Sequence, residues 1–195
     1  MQLSKLLSTH IILASQSPRR LQLLQQMGFQ VTTVPLDVEE TVNENLPDWK
    51  IAEELSLIKN KAYTKEINDG SVLITADTLV FADGIPLGKP QNEEQARKYL
   101  ELLSGKAHKV ITACTLRSRK QEITFHQTAM VHFKPLSKEE ISYYIETYRP
   151  FDKAGAYGIQ EWIGLIGIER IDGDYYTIMG LPCQRIFSSL LQLEL

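Results

Sequence analysis

With 195 residues, 43% of them apolar and 23% charged, the chain has the composition of an ordinary globular protein and enough length to bury a sizeable core. Its net charge of −3 argues against a nucleic-acid binder, whose domains are usually basic, so an acidic ligand must be met by local positive charge. There is no apolar run of the length a membrane helix needs and no signal-peptide pattern, which points to a soluble cytoplasmic protein with no membrane partner.

Ile11-Ile12-Leu13-Ala14 reads as a short buried strand. Ser17 then suits a helix N-cap, and Pro18 suits the first helical position, where its missing N–H costs nothing. Leu21, Leu23, Leu24 and Met27 give that helix an apolar face, and Gly28 closes it. Val31 to Val34 form a second strand, followed by the acidic loop Asp37-Val38-Glu39-Glu40. The recurrence of Ile51, Leu55, Ile58 and Ala62 predicts a helix over about 49–67, with Asp48 as its cap and Asn68-Asp69-Gly70 as its stop. Val72 to Thr75 is an apolar strand with Ala76-Asp77-Thr78 at its C-terminal end; Leu79 to Phe81 carry the extended chain into an Asp83-Gly84 turn.

Asn92 caps the next helix with Gln95 as its capping-box partner, and Ala96, Tyr99, Leu100 and Leu103 face inward. Two long strands follow, over about 107–118 and 121–133. Ser137 and Glu140 cap a helix over about 138–147. Residues 149–162 read as a glycine-rich loop, 163–170 as a strand, and Asp172-Gly173 as a hairpin turn into Tyr175-Tyr176-Thr177. Gly180-Leu181-Pro182 opens a last helix with Ile186, Leu190 and Leu193 inward. Helices alternate with strands and no linker or repeat intervenes, so the expectation is one α/β domain over 1–195 with a mixed sheet.

Several residues could carry chemistry. Arg19 and Arg20 fall in the first turn of a helix, where the dipole favours anions over cations. A phosphate between them and the free N–H groups resolves that conflict, and the hydroxyls of Ser15 and Ser17 would add to the cradle. The alternative is that the arginines are solvated or pair with carboxylates. Asp77, leaving an apolar strand, is the leading catalytic carboxylate, with a turn aspartate as the plainer alternative. Glu39 and Glu40 could join it around a hard cation, which takes carboxylate and phosphate oxygens. Lys89, in Gly88-Lys89-Pro90, and Lys61, on a helix, could reach a phosphate. Gln160 ends a loop of small residues from Phe151 and offers a donor and an acceptor to a base edge. Cys114 and Cys183 lie far apart and suggest packing, not a disulfide or a nucleophile. The four histidines show no zinc-ligand spacing with them.

Ser15-Gln16-Ser17-Pro18-Arg19-Arg20, Glu39-Glu40, Ala76-Asp77-Thr78, Lys89-Pro90, Leu103-Ser104-Gly105, the string Asp152 to Gln160 and Gly180-Leu181-Pro182 occur in an order that resembles the Maf family of nucleoside triphosphate pyrophosphatases over nearly the whole chain. The resemblance implies an inosine triphosphate pyrophosphatase-like α/β fold, with a mixed twisted sheet, flanking helices and a central cleft, commonly in a homodimer. It implies cleavage of a nucleoside triphosphate to the monophosphate and pyrophosphate with Mg²⁺ or Mn²⁺. Asp77 would be the proton acceptor, and Asp77 and Glu40 the metal ligands. Arg19, Thr78 and Gln160 match the subgroup acting on dTTP and UTP, and Ser15, Ser17, Arg20, Lys61 and Lys89 would meet the phosphates. The chain departs from the pattern at Glu161-Trp162, where smaller residues are common, which would narrow the cleft. A nucleotide-binding regulator of cell division without turnover is the alternative reading.

Overall fold

In the computed structural model, which describes residues 3–38, 42 and 46–194, the apolar run Ile11-Ile12-Leu13 is the buried heart of strand β1 (His10–Leu13). It lies between two parallel neighbours, β2 (Gln30–Thr33) and β3 (Ser71–Ala82), with Leu13 in register with Thr33 and Ile74. A short helix, α1 (Leu3–Leu7), precedes β1; it has only Leu6 buried, too little pattern to be read from sequence. The crossover from β1 to β2 is α2 (Pro18–Gln26), with Pro18 in its first turn and Leu23 and Leu24 buried. Ser17 has the extended backbone of an N-cap, but its side chain makes no capping bond. Gly28, at φ +90, ends the helix in the left-handed region that glycine reaches without strain.

Helix α3 (Asp48–Lys61) is shorter than its periodicity suggests, and Pro47, not Asp48, stands at its N-cap. The Arg117 guanidinium explains the early stop: it donates to the carbonyls of Asn60 and Tyr63 at 3.1 and 2.8 Å, satisfying acceptors that another turn would otherwise take. Strand β3 turns at Asp83-Gly84, with φ of +51 and +78, into β4 (Ile85–Pro86). Both φ values are positive, as the tight hairpin predicted there requires. Helix α4 (Glu93–Leu103) is capped by Asn92, whose Oδ1 accepts from Gln95 N–H at 2.9 Å. Strands β5 (Ala107–Arg117) and β6 (Glu122–Phe133) follow, then α5 (Lys138–Tyr148) with a full capping box between Ser137 and Glu140.

The region after the 3₁₀ turn Ala154–Ala156 corrects the sequence reading. The first half of the strand expected over 163–170 is a helix, α6 (Trp162–Gly167), and only its end belongs to β7 (Ile168–Asp172). Gly164 makes the helix possible: a Cβ there would stand 1.8 Å from the Ile159 carbonyl oxygen. The return strand expected at Tyr175 is also a helix, α7 (Tyr175–Met179). Asp174 starts it by accepting from the Thr177 N–H and hydroxyl at 2.7 and 2.8 Å. Strand β7 pairs antiparallel with β6 instead, Ile171 opposite Val131. The last helix is α8 (Cys183–Gln192), with Ile186 and Leu190 buried as expected.

Among the described residues the strands order as β2-β1-β3-β5-β6-β7, with β4 on β3. Parallel and antiparallel pairs coexist, so the sheet is mixed and the expected α/β architecture holds. The chain forms two compact units. The first takes the chain up to Asp77, Thr112–Gln127 and the chain from Gly180; the second takes Thr78–Ile111 and Thr128–Met179. The first has a cluster of Ile12, Ala14, Tyr63, Ile67 and Leu73, and the second a larger core that includes Leu100, Leu103, Val131, Phe133, Ile141 and Tyr144. Each of these large side chains contributes about 1.5–3 kcal/mol by leaving water. No helix among the described residues is long and apolar enough to cross a membrane.

Candidate active site

Asp77 is in the middle of a strand, not at its end as the sequence suggests, because β3 continues to Ala82. What ends beside it is β1. Pairing between the two stops at Leu13 opposite Ile74, and the Ala14 N–H donates to the Ile74 carbonyl at 3.0 Å. Asp77 therefore follows the carboxyl end of its parallel neighbour, where open α/β sheets place ligands.

Side chains alternate along a strand, so Thr75 and Asp77 share a face of β3. Helix α3 covers that face through a buried polar network. The Thr75 hydroxyl donates to the Ser56 carbonyl at 2.8 Å, and Asn60 Nδ2 donates to Thr75 Oγ1 and the Thr115 carbonyl at 3.2 and 3.1 Å. The Ser56 and Thr115 hydroxyls meet at 2.9 Å. These bonds set the rotation of α3, and Lys59, on the same face, delivers its ammonium to Asp77 Oδ1 as an ion pair. Lys59 was not singled out from sequence. The apolar stripe read there is only part of the inner face: Leu55 is buried with Ala52, Ser56 and Asn60, whereas Ala62 is exposed. The polar triple Ser56, Lys59, Asn60 at helical spacing was the signal available. Lys61 is exposed at the end of α3, two residues from the lysine that reaches Asp77.

The turn from β1 to α2 belongs to the same unit. Ser15 Oγ accepts from the Ser17 N–H at 3.1 Å and from Arg20 Nη1 at 3.3 Å. A hydroxyl has two lone pairs and one proton, so Ser15 is left to donate, the polarity that a phosphate oxygen accepts. Arg20 also gives Nε to the Gly180 carbonyl and Nη1 to the Ala76 carbonyl, both at 2.8 Å. It ties the turn before α2 to the residue preceding Asp77 and to the approach to α8. Arg19 is half-buried in the first turn of α2.

The second unit holds Thr78, Lys89 and Gln160. Val80 shares a face of β3 with Thr78 and touches the loop 151–160 at Gly155, whose Cβ, if present, would stand 3.0 Å from Val80 Cγ1. Gly155 has φ +71, and its N–H donates to the carbonyls of Leu87 and Gly88 at 3.0 and 3.2 Å. The loop is thereby stitched to the segment that presents Lys89, which is exposed. Gln160 is exposed too and lines an open groove of about 320 Å³ with Ile159, Leu165, Arg170, Ile171 and Tyr175 among others. Glu161 turns inward: Lys153, buried, bridges Asp152 and Glu161 at 2.6 and 3.1 Å, and the Tyr144 hydroxyl donates to Glu161. Burial, and then Glu161, hold the Tyr144 hydroxyl well above the usual tyrosine range, so it stays protonated.

Cys114 is buried, which pushes its thiol up to about 12, so it is not an activated nucleophile; Cys183 contacts the Leu181 carbonyl at 3.3 Å. Among the described residues no cluster of three His, Cys, Asp or Glu could hold a metal, and Glu39 and Glu40 lie outside those residues. Asp77 fits a hard cation in chemistry. Its Oδ1 takes Lys59, and its Oδ2 has no hydrogen-bond partner among the described residues. Such a cation completes its shell with substrate oxygens and water, so a small carboxylate set suffices.

A family model described as Maf-like protein matches residues 10–193. A Phocaeicola vulgatus protein named dTTP/UTP pyrophosphatase is 46% identical over 185 residues, 94% of this chain and 95% of its own length. A protein of the same name from Christiangramia forsetii is 39% identical over 192 residues, 98% of each chain. The structure of the Staphylococcus aureus Ham1 protein aligns with a TM-score of 0.49 and 16% identity, covering 94% of this chain and 98% of that one.

Proposed function

The chain belongs to the Maf-like protein family, and on that premise we propose that residues 1–195 form one nucleoside triphosphate pyrophosphatase domain acting on dTTP and UTP. The observation that carries the chemistry is the Asp77 carboxylate, half paired with Lys59 and placed past the end of β1. Water attacks the α-phosphorus, Asp77 takes its proton, and the bond to the bridging oxygen breaks to release pyrophosphate. A divalent cation, Mg²⁺ or Mn²⁺, held by Asp77 and Glu40, would neutralise charge on the phosphate chain and acidify the water. Lys59 keeps the carboxylate oriented and is a cation close to it. The Ser15 hydroxyl donates to a phosphate oxygen, with Ser17, Arg20, Lys61 and Lys89 as further phosphate partners.

Arg19, Thr78 and Gln160 set the preference for thymine and uracil in this reading. The Gln160 amide presents a donor and an acceptor, which matches the O4 and N3–H edge of both bases. A homodimer in the cytoplasm completes it. The test is pyrophosphate release from dTTP, UTP, CTP, GTP and ATP with Mg²⁺ or Mn²⁺, by the protein and by Asp77→Asn. Turnover should favour dTTP and UTP and fall by about 10²–10⁴-fold in the variant, the usual worth of a positioned base. No turnover of any triphosphate, with dTTP still binding, would sink the proposal and favour a nucleotide-binding regulator.

A further inference from the structure

Gln160 stands in a turn that is tied to the core on both sides. The Glu161 N–H donates to the Gly158 carbonyl at 3.0 Å, so residues 158–161 form a β-turn with Ile159 and Gln160 at its centre. The Gly158 N–H donates to the Tyr144 hydroxyl at 2.9 Å, and that hydroxyl donates in turn to Glu161 Oε2. The other carboxylate oxygen, Oε1, takes the buried ammonium of Lys153 at 3.1 Å. Ile159 is buried, and its carbonyl lies against Gly164 of α6. Gln160 is the one exposed residue of the four. Tyr144 is fully buried in α5 and stacked on Tyr148, with ring centroids 5.2 Å apart. One phenol oxygen thus clamps both ends of the turn and refers them to a rigid helix.

We infer that Tyr144 and Glu161 are positioning residues for base selection: they fix the turn that aims Gln160. This rests on the reading above, in which Gln160 meets the base. The protonated state of Tyr144 supports it, because a phenol can accept from Gly158 and donate to Glu161 at once, whereas a phenolate could only accept. Gly158 supplies a second handle on the clamp. A Cβ on it would stand 2.8 Å from Glu161 Cδ and 2.9 Å from its Oε2, so Gly158→Ala pushes the carboxylate off while leaving the Tyr144 side chain itself intact.

The experiment measures kcat and KM for dTTP, UTP and CTP with Tyr144→Phe, Gly158→Ala and Gln160→Ala. Tyr144→Phe keeps the ring and deletes only the clamping oxygen. The expected result is a roughly ten-fold fall in the preference for dTTP over CTP, the equivalent of one well-placed hydrogen bond. It should arise through KM, with kcat held within about two-fold, in both clamp variants, and Gln160→Ala should lose the same preference. If Gln160→Ala loses the preference and the clamp variants keep it, the proposal is overturned while the reading of Gln160 stands. A uniform fall of kcat on every triphosphate, preference retained, would make the clamp merely structural and also overturns it. An unaltered preference in Gln160→Ala removes the reading itself. Should Tyr144→Phe fail to fold, Gly158→Ala decides.

Discussion

Acid should destabilise this protein through His108. The imidazole is buried against Phe133 and Tyr157, with Nε2 at 2.7 Å from the Tyr157 hydroxyl and Nδ1 without a partner among the described residues. Burial pushes it down to about 4 from an ordinary 6.5, and the like charge of His132 adds a smaller push. The folded state therefore resists a proton that the unfolded chain accepts. Stability is intact above pH 6.5 and is lost as the pH falls through the window down to about 4. The gap corresponds to a ceiling of about 3 kcal/mol, and to about 2 kcal/mol at pH 5. The assay is urea unfolding at pH 8 and pH 5 for the protein and for His108→Gln, whose amide can still bond the Tyr157 hydroxyl. Carboxylate contributions are common to both and cancel. The protein should lose about 2 kcal/mol more than the variant between the two pH values, at unchanged m-value. Parallel losses would refute the argument, because His108 would then be protonating without cost in the fold.

Arg20→Lys replaces a fork on two carbonyls by one point charge, so it should cost about 1–2 kcal/mol and lower Tm by about 3–6 °C in a scanning melt. An unchanged Tm would show that the guanidinium does not tie the start of α2 to β3. Gly155→Ala combines a φ of +71 with a Cβ 3.0 Å from Val80, and its urea midpoint should fall by the equivalent of about 1–3 kcal/mol. Chelation with EDTA should stop pyrophosphate release, and either Mg²⁺ or Mn²⁺ should restore it. Activity that persists in EDTA would detach Asp77 from any metal role.

The elements that were legible in sequence are those whose signals are local. Pro18, Gly28, Asn92 with Gln95, Ser137 with Glu140 and Asp83-Gly84 each mark a boundary through bonds or dihedrals within a few residues, and all five boundaries lie where these signals put them. The misread stretch, 163–177, depends on contacts beyond that range. Ile163, Leu165 and Ile166 are β-compatible by composition, and only the close approach of Gly164 to Ile159 turns them into α6. Asp174 could cap a helix or close a hairpin, and pairing of β7 with β6 decides for the helix.

The candidate site divides the same way. Asp77 was readable because a carboxylate just after the apolar run Val72-Leu73-Ile74, with only Thr75 and Ala76 between, costs free energy unless something compensates it. Its compensator, Lys59, was not readable, because a lysine near the end of a helix is most often solvated. What places it is the register between α3 and β3, and that register is set by hydroxyls and amides: Ser56, Asn60, Thr75 and Thr115 are all fully buried. An apolar interface tolerates a rotation of the helix by a fraction of a turn, since packing can be re-formed with other partners. A buried hydrogen-bond network does not, since each displaced donor or acceptor is left unpaired at about 1–3 kcal/mol. A helix that must hold one ammonium against one carboxylate gains from such an interface the angular definition that leucines would not give it. The polar residues under α3 are thus the reason that Asp77 has a fixed partner, and they identify the face of a helix on which a functional lysine should be sought.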